Sequence, residues 1–369
     1  MCNRINPIEC ILPPHILRSI AESRQATDTQ RQKALQTLQS SEQMRAQRRV
    51  FTDVKEMALK TVVGQKERAI FDAQNGTNLP GAPVRNEGDP PTGDAATDEA
   101  YDYSGNTYDY YSAIHNRNSI DGNGMRLDST VHYSQGYDNA FWNGQQMVYG
   151  DGDEDLPPDQ RLFNRFTISL SVVGHELTHG VTQHEAGLAY FAQSGALNES
   201  MSDVFGALVR QWTLNQTAAE ADWLVGEGLF TENVNGVAIR SMKAPGTAYD
   251  DPILGKDPQP AHMDNYQNVP YDNGGVHINS GIPNHAFYRA AVELGGYAWE
   301  KMGQIWYVTL KDKLKSLSQF ADAAHLTHET AGELYGSGSL EQQAVRVGWN
   351  AVGLSVTGKG CLSAVFGVK

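Results

Sequence analysis

Ser171-Val172-Val173-Gly174-His175-Glu176-Leu177-Thr178-His179-Gly180 carries two histidines four residues apart, with a glutamate directly after the first. On a helix, residues four apart stack on one face. His175 and His179 can therefore aim two imidazole nitrogens at one tetrahedral metal ion. Glu176 sits one step round the helix, in reach of a metal-bound water as general base. Val172, Val173 and Leu177 give this helix an apolar side, which predicts that it is buried. A catalytic zinc ion takes three protein ligands and leaves a fourth position for water. Glu199, twenty residues beyond His179 in Gly195-Ala-Leu-Asn-Glu-Ser-Met-Ser-Asp203, is the candidate third ligand. Asn198 and Asp203 flank it, and Asp203 lies one helical turn further on the same face. An acceptor there suits the fixing of an imidazole's tautomer and orientation.

His-Glu-Leu-Thr-His, nineteen intervening residues and then Asn-Glu-x-x-x-Asp resembles the thermolysin family of zinc endopeptidases. The stretches 134–144, 147–153 (Met-Val-Tyr-Gly-Asp-Gly-Asp) and 272–280 (Asp-Asn-Gly-Gly-Val-His-Ile-Asn-Ser) resemble it too, so the similarity runs from about Tyr101 to the C-terminus. It implies an α+β metalloprotease of two domains. A β-rich N-terminal catalytic domain would span 51–190 and end with the zinc helix, and a mainly helical C-terminal domain would span 191–369. The active site would lie in the groove between them, with one Zn²⁺ held by His175, His179 and Glu199.

The same resemblance assigns further residues. His277 and Tyr190 match the donors that stabilise the negative charge growing on the attacked carbonyl, a charge that demands donors where it appears. Asp272 can orient His277 by accepting its other ring proton. Asn139 and Ala140 match residues that hold an extended substrate along a strand edge. Arg240 matches the arginine that engages the substrate carbonyl beyond the scissile bond, a task that suits a planar cationic fork. Phe163, Val172 and Ile239 match the lining of the pocket for the residue after the cut bond. All three are apolar, so cleavage is expected before Leu, Ile, Phe or Val, although Val172 also reads as plain core. Where the family's paired calcium site has carboxylates, this chain has Ser171, Arg210 and Leu224 and keeps only Glu227. A guanidinium repels calcium, so the double calcium site is expected to be absent, while a single calcium in an Asp/Gly loop stays open.

The 369 residues are 40% hydrophobic and 20% charged, the composition of a globular protein long enough for two cores. A net charge of −14 argues against a general nucleic-acid partner. Protein and peptide substrates and a monomer are expected. Cys2, Cys10 and Cys361 cannot build a disulfide framework. A Cys2–Cys10 bridge is conceivable, as is a Cys10 thiolate on the metal; neither is the favoured reading. The N-terminus lacks a secretory apolar core, and no run reaches the length of a membrane span. A cytoplasmic protein, or one exported by a signal-independent route, is therefore expected.

Residues 1–50 carry 8 Lys and Arg against 4 Asp and Glu, leaving 21 against 39 for 51–369. A basic leader on an acidic body docks electrostatically. With Pro13-Pro14 it resembles the short propeptides of the protealysin-like subgroup. Met1 to about Arg49 is therefore expected to be an inhibitory propeptide, removed near Arg45–Val50; a solvated arm is the alternative. His15–Arg49 reads as helix. Strands are expected at Val50–Val54, Ala69–Asp72, Val131–Ser134, Phe141–Gly144 and Gln146–Tyr149, and a helix over Glu99–Asn116. Beyond the zinc helix, helices are expected over Asn198–Asn215, Asn284–Leu294, Trp299–Leu310, Ser318–Tyr335 and Ser339–Val352. His115 and His132 read as structural histidines among aromatics, and the His325–His328 pair as a helix surface or core pair without metal. Two other classes fit the motif: a zinc exopeptidase, for which no terminus-binding cluster is evident, and a non-catalytic relative, against which Glu176 stands.

Overall fold

The computed structural model describes residues 9–50 and 64–356, with side chains over 10–41 and 64–356. In chain order the elements are strand β1 (Glu9–Cys10), helices α1 (Pro14–Glu22) and α2 (Asp28–Val50), strands β2 (Arg68–Asp72) and β3 (Ala82–Asn86), helix α3 (Ala95–His115) and strands β4 (Leu127–Val131), β5 (Ala140–Trp142) and β6 (Met147–Tyr149). Helices α4 (Leu170–His184) and α5 (Ala192–Thr213) follow, then short strands β7 (Leu224–Val225) and β8 (Arg240–Ser241). The last part is helical: α6 (Asp272–Asn279), α7 (Gly281–Leu294), α8 (Lys301–Val308), α9 (Phe320–Tyr335) and α10 (Leu340–Ala351). Among the described residues no helix is long and apolar enough to cross a membrane.

The main sheet runs β1-β5-β6-β4-β2-β3. β2, β4 and β6 are parallel, and β5–β6 is an antiparallel hairpin with Phe141 opposite Val148. Helix α4 is buried almost all round, from Leu170 to Thr182, because it lies between the sheet and α5. Ser169 caps it by accepting from the Val172 amide. The approach of α5 depends on Gly206. A Cβ there would lie 2.5 Å from the Ser171 carbonyl oxygen and 2.9 Å from the His175 nitrogen. Absence of that atom lets the two backbones close up, which carries Glu199 on α5 to the histidines on α4.

The N-terminal leader is two helices, where one was expected over His15–Arg49. The chain is extended at Ser23. Thr27 accepts from the Gln30 amide while its own amide donates to Gln30 Oε1, a reciprocal cap that starts α2 afresh. Helix α1 has Pro14 at its first turn and buries Ile16, Leu17 and Ile20, three apolar residues at helical spacing.

Other boundaries differ from expectation. Val50 closes α2, and the rest of the Val50–Val54 segment lies outside the described residues, as do Cys2 and Cys361. Strand β4 ends at Val131 because His132 and Ser134 adopt positive φ. Helix α3 begins four residues before Glu99, where Asp94 accepts from the Thr97 amide, and it accommodates Gly105. Helix α8 is shorter than Trp299–Leu310 and passes into a π-helical turn at Thr309–Lys313. His115 stacks on Tyr307 at 4.1 Å between ring centroids. His132 instead pairs with carboxylates, at 2.8 Å from Asp151 and 3.3 Å from Asp94. The Asp151 hydrogen bond, outweighing partial burial, raises its pKa to about 9. His325 and His328 lie on the outer side of α9, exposed and half-buried.

Candidate active site

Helical spacing on α4 stacks His175 and His179 so that their Nε2 atoms are 2.9 Å apart. Glu199 faces them from α5, with Oε2 at 3.6 Å from His175 Nε2 and Oε1 at 3.5 Å from His179 Nε2. All three residues are fully buried and form the one group of this kind found among the described residues. Three donors around a tetrahedral ion held at about 2.1 Å would sit roughly 3.4 Å from one another, close to these separations.

The outer nitrogens agree with that reading. His175 Nδ1 is 2.8 Å from Asp203 Oδ1, and His179 Nδ1 is 2.9 Å from Asn198 Oδ1. Both partners are acceptors, so each Nδ1 carries the proton and each Nε2 turns a lone pair inward. Burial, and then the neighbouring His179, push the His175 pKa down to about 4, which keeps the imidazole neutral. Burial alone would raise the Glu199 pKa, but His277, His179, His175 and Arg240 outweigh it and hold the carboxyl below its ordinary value. Glu199 Oε2 has no hydrogen-bond partner among the described residues. A buried, partnerless carboxylate oxygen facing two lone pairs is costly unless a cation joins them, so the residues fit a metal ion.

Asp203 is the hub behind this group. Besides His175 it accepts from Arg240 Nε at 2.8 Å and Nη2 at 2.7 Å, and from Asn284 Nδ2 at 2.7 Å. Burial works to protonate it, yet Arg240 and His175 hold its pKa far below the ordinary range. Asn284 carries no local signal that would have marked it. Ser202, 3.0 Å from His179 Nδ1, could have been found, since it lies one turn after Asn198 on α5. Glu176, fully buried beside the ligands, accepts from the Trp142 amide of β5 at 2.9 Å.

His277 lies in α6, a short helical segment entered through left-handed Asp272, Asn273, Gly274 and Gly275. That turn folds Asp272 back on His277: Oδ2 accepts its backbone amide at 2.9 Å and Oδ1 takes Nδ1. Burial would lower the His277 pKa, but Asp272 and then Glu199 outweigh it and raise it. Tyr190 donates its hydroxyl to Glu199 and lies 3.2 Å from His277 Nε2.

The leader fills the space these groups enclose. β1 pairs antiparallel with β5, the free edge of the hairpin, with Glu9 opposite Trp142 and Cys10 opposite Phe141. The Cys10 carbonyl accepts from His277 Nε2 at 2.9 Å and the Ile11 carbonyl from Arg240 Nη1 at 3.1 Å. The Ile11 amide donates to the Ala140 carbonyl at 3.2 Å, and Leu12 donates to Asn139 Oδ1 at 3.0 Å. Cys10 thus meets the site through its backbone. Its side chain packs with Tyr133, Tyr137, Phe141 and Val148 and is outside the metal-binding group. Phe163, Val172 and Ile239 are buried in the same core as Ile11 and Leu12.

Residues 22–183 match the model of the thermolysin metallopeptidase catalytic domain, and residues 186–354 that of the thermolysin metallopeptidase alpha-helical domain. An extracellular metalloprotease of Pectobacterium carotovorum is 51% identical over 95% of this chain and 97% of its own length. Protease PrtS of a Photorhabdus species is 48% identical over 95% of this chain and 93% of its own. The solved precursor of protealysin, a metalloproteinase from Serratia proteamaculans, superposes with a TM-score of 0.84 at 51% identity, covering 94% of this chain and all of that one. Matched across both halves and sharing about half of its residues with relatives of the same length, the chain belongs to the thermolysin metallopeptidase family.

Proposed function

We propose that this zinc-dependent endopeptidase cleaves peptide bonds before bulky hydrophobic residues and is held inactive in its precursor by residues 1–50. One observation carries the reading: the register of Cys10-Ile11-Leu12 against β5. The carbonyl before Ile11 meets His277, and the carbonyl after it meets Arg240. The Cys10–Ile11 bond therefore stands where a scissile bond would lie, with a buried apolar residue directly after it. The chain continues on both sides of that bond, which suits an endopeptidase better than an exopeptidase.

His175, His179 and Glu199 would hold the zinc ion, which supplies a Lewis acid and an activated water. The remaining steps belong to side chains. Glu176 accepts the proton of the attacking water and delivers it to the leaving nitrogen. The Trp142 amide fixes one of its oxygens and leaves the carboxylate oriented. His277 and Tyr190 donate to the carbonyl oxygen as it gains charge, and Asp272 keeps His277 protonated and aimed. Asn139, Ala140 and Arg240 align the substrate backbone, while Phe163, Val172 and Ile239 line the apolar pocket.

Calcium is proposed to be absent from the position of the paired site. Arg210 there binds Asp222 at 2.7 Å and Glu227 at 3.2 Å, and Ser171 also donates to Glu227, so the oxygens calcium would need are engaged by a cation already.

A peptide library with blocked termini, digested with and without a chelator, tests the whole reading. Chelator-sensitive internal cleavage before Leu, Ile, Phe and Val is expected; equal cleavage before Asp or Lys would refute the specificity.

A further inference from the structure

The carboxylate that holds the His277 ring belongs to the same short segment, five residues before it. So local a contact fixes the imidazole to α6 and leaves α6 itself to be fixed to the body. A segment of 8 residues, half of them at positive φ, brings little rigidity of its own. Apolar packing gives part of the support: a Cβ on Gly195 of α5 would lie 2.5 Å from Val276 Cγ1.

A polar strut gives another part. Gln259, in the loop between β8 and α6, is 5% exposed. Its Nε2 donates to the His277 carbonyl at 2.7 Å and to Ser280 Oγ at 3.0 Å, and that hydroxyl donates to the same carbonyl at 3.0 Å. A carbonyl only accepts, so the amide cannot be reversed. The loop behind the strut is itself tied down. Buried Asp257 accepts from the amides of Gly246 at 3.0 Å, Ala248 at 3.1 Å and Gln259 at 3.0 Å. Gly281 lets this loop approach, since a Cβ there would lie 2.8 Å from the Pro260 carbonyl oxygen and 3.0 Å from Gln259 Cβ.

The strut carries a penalty. Gln259 Oε1 is buried with no hydrogen-bond partner among the described residues. A methionine or leucine of similar volume would avoid that unfavourable burial, so packing alone does not account for a glutamine here.

We propose that Gln259 is a positioning residue for peptide hydrolysis: it clamps the backbone of His277 so that Nε2 stands where charge grows on the attacked carbonyl. In the precursor that nitrogen already lies 2.9 Å from the Cys10 carbonyl oxygen. A donor stabilises the growing charge only if it is in place before the charge appears. The contacts that hold substrate backbone, at Asn139, Ala140 and Arg240, come from other parts of the chain. Loss of the strut should therefore slow the chemistry and spare binding. The proposal deepens the reading of His277 as that donor and rests on it.

The test is turnover of a terminally blocked peptide by active enzyme obtained from the full chain, for Gln259→Met, His277→Ala and the two combined. Gln259→Met is expected to lower kcat at least about tenfold, with KM within about twofold of the natural value and zinc content unchanged. Because it acts through His277, it should add nothing to the loss in the chain that already lacks the imidazole. An unaltered kcat, or a loss that multiplies with that of His277→Ala, would overturn the proposal. Normal turnover by His277→Ala would sink the reading of His277 and this proposal with it. Failure of the strut alone looks different: His277→Ala is slow while Gln259→Met is not. Gln259→Leu is run in parallel so that a folded variant decides. Should neither fold, Ser280→Ala takes their place, since it strips the amide of one acceptor and the carbonyl of one donor. A fall in kcat of about threefold, confined to chains that keep His277, then supports the clamp, and an unchanged kcat refutes it.

Discussion

The Cys10 carbonyl oxygen lies 2.9 Å from His277 Nε2, while the Nδ1 of the same ring is bound by Asp272. A carbonyl and a carboxylate are both pure acceptors, so the imidazole must donate at both nitrogens and is an imidazolium here. Its raised pKa, set by Asp272 and Glu199 against burial, agrees. The leader's backbone is therefore held by a charged donor.

Glu176→Gln tests the assignment of the base. The amide preserves volume and can still contact the Trp142 amide through its oxygen, but it cannot accept the water's proton. Turnover is expected to fall by about 10²–10⁴-fold at unchanged zinc content, read by peptide hydrolysis and metal analysis. Undiminished proteolysis would remove Glu176 from the mechanism.

Ile11→Asp tests the leader as an inhibitor. Ile11 is fully buried, and a carboxylate in its place would lack a solvated environment. The intact chain, verified by mass spectrometry, is expected to hydrolyse a small peptide at least about tenfold faster than the unsubstituted precursor. Identical rates would mean that the leader does not block the cleft.

Asp203→Asn tests the support of the metal group. The substitution weakens the acceptor for His175 Nδ1 and breaks the charge balance with Arg240. Zinc affinity is expected to drop about 10–100-fold in competition with a chelator. Asn284→Ala, which removes one donor to Asp203, should act in the same direction and more weakly.

His15 makes leader docking sensitive to acid. Its Nε2 lies 2.9 Å from the Tyr249 hydroxyl, and burial lowers its pKa from 6.5 to about 4, with His277, Arg240 and Arg18 assisting and Asp272 opposing. A folded value below the unfolded one means that the undocked leader binds a proton which the docked leader refuses. Docking is then unpenalised above pH 6.5 and weakens as pH falls toward 4, by at most about 2 kcal/mol for this half-buried ring. Protection of α1 against hydrogen exchange, taken relative to the intrinsic exchange rate at each pH, should fall between pH 7 and pH 5, and His15→Asn should flatten that dependence. Equal pH profiles for the two chains would discount the histidine.

Gly206→Ala tests the contact between α4 and α5. A methyl 2.5 Å from the Ser171 carbonyl forces the helices apart, at an expected cost of about 1–3 kcal/mol in unfolding free energy by denaturant titration. Because Glu199 rides on α5, zinc affinity should fall too. An unchanged stability would show that the pair can separate without loss.

Much of the metal group is readable in the sequence because its geometry is local: His175 and His179 are neighbours by helical period alone, and Glu199, Asn198 and Asp203 share one helix. The Asn-Gly-Gly run before His277 likewise announces residues at positive φ, though not that they open a helix. Groups assembled by tertiary contact are not legible in this way. Nothing near Arg240 reveals that its guanidinium grips Asp203, nor near Asn284 that it reaches the same oxygen, since α5, β8 and α7 meet only in the fold. Lys33 reads as one more base in a polar helix, because the carboxylates around it are over a hundred positions away. The break in the leader is legible too: Thr27 with Gln30 three residues on is the signature of a helix start, masked by the long polar run around it.

The pairing of β1 with β5 has one more consequence. Exposed strand edges recruit other strands indiscriminately, and aggregation often begins on them. If substrate lies along this edge, as proposed, the working form must carry it bare, and with it a sticky rim. While Glu9 and Cys10 pair with it, that rim is covered and cannot recruit a strand from another molecule.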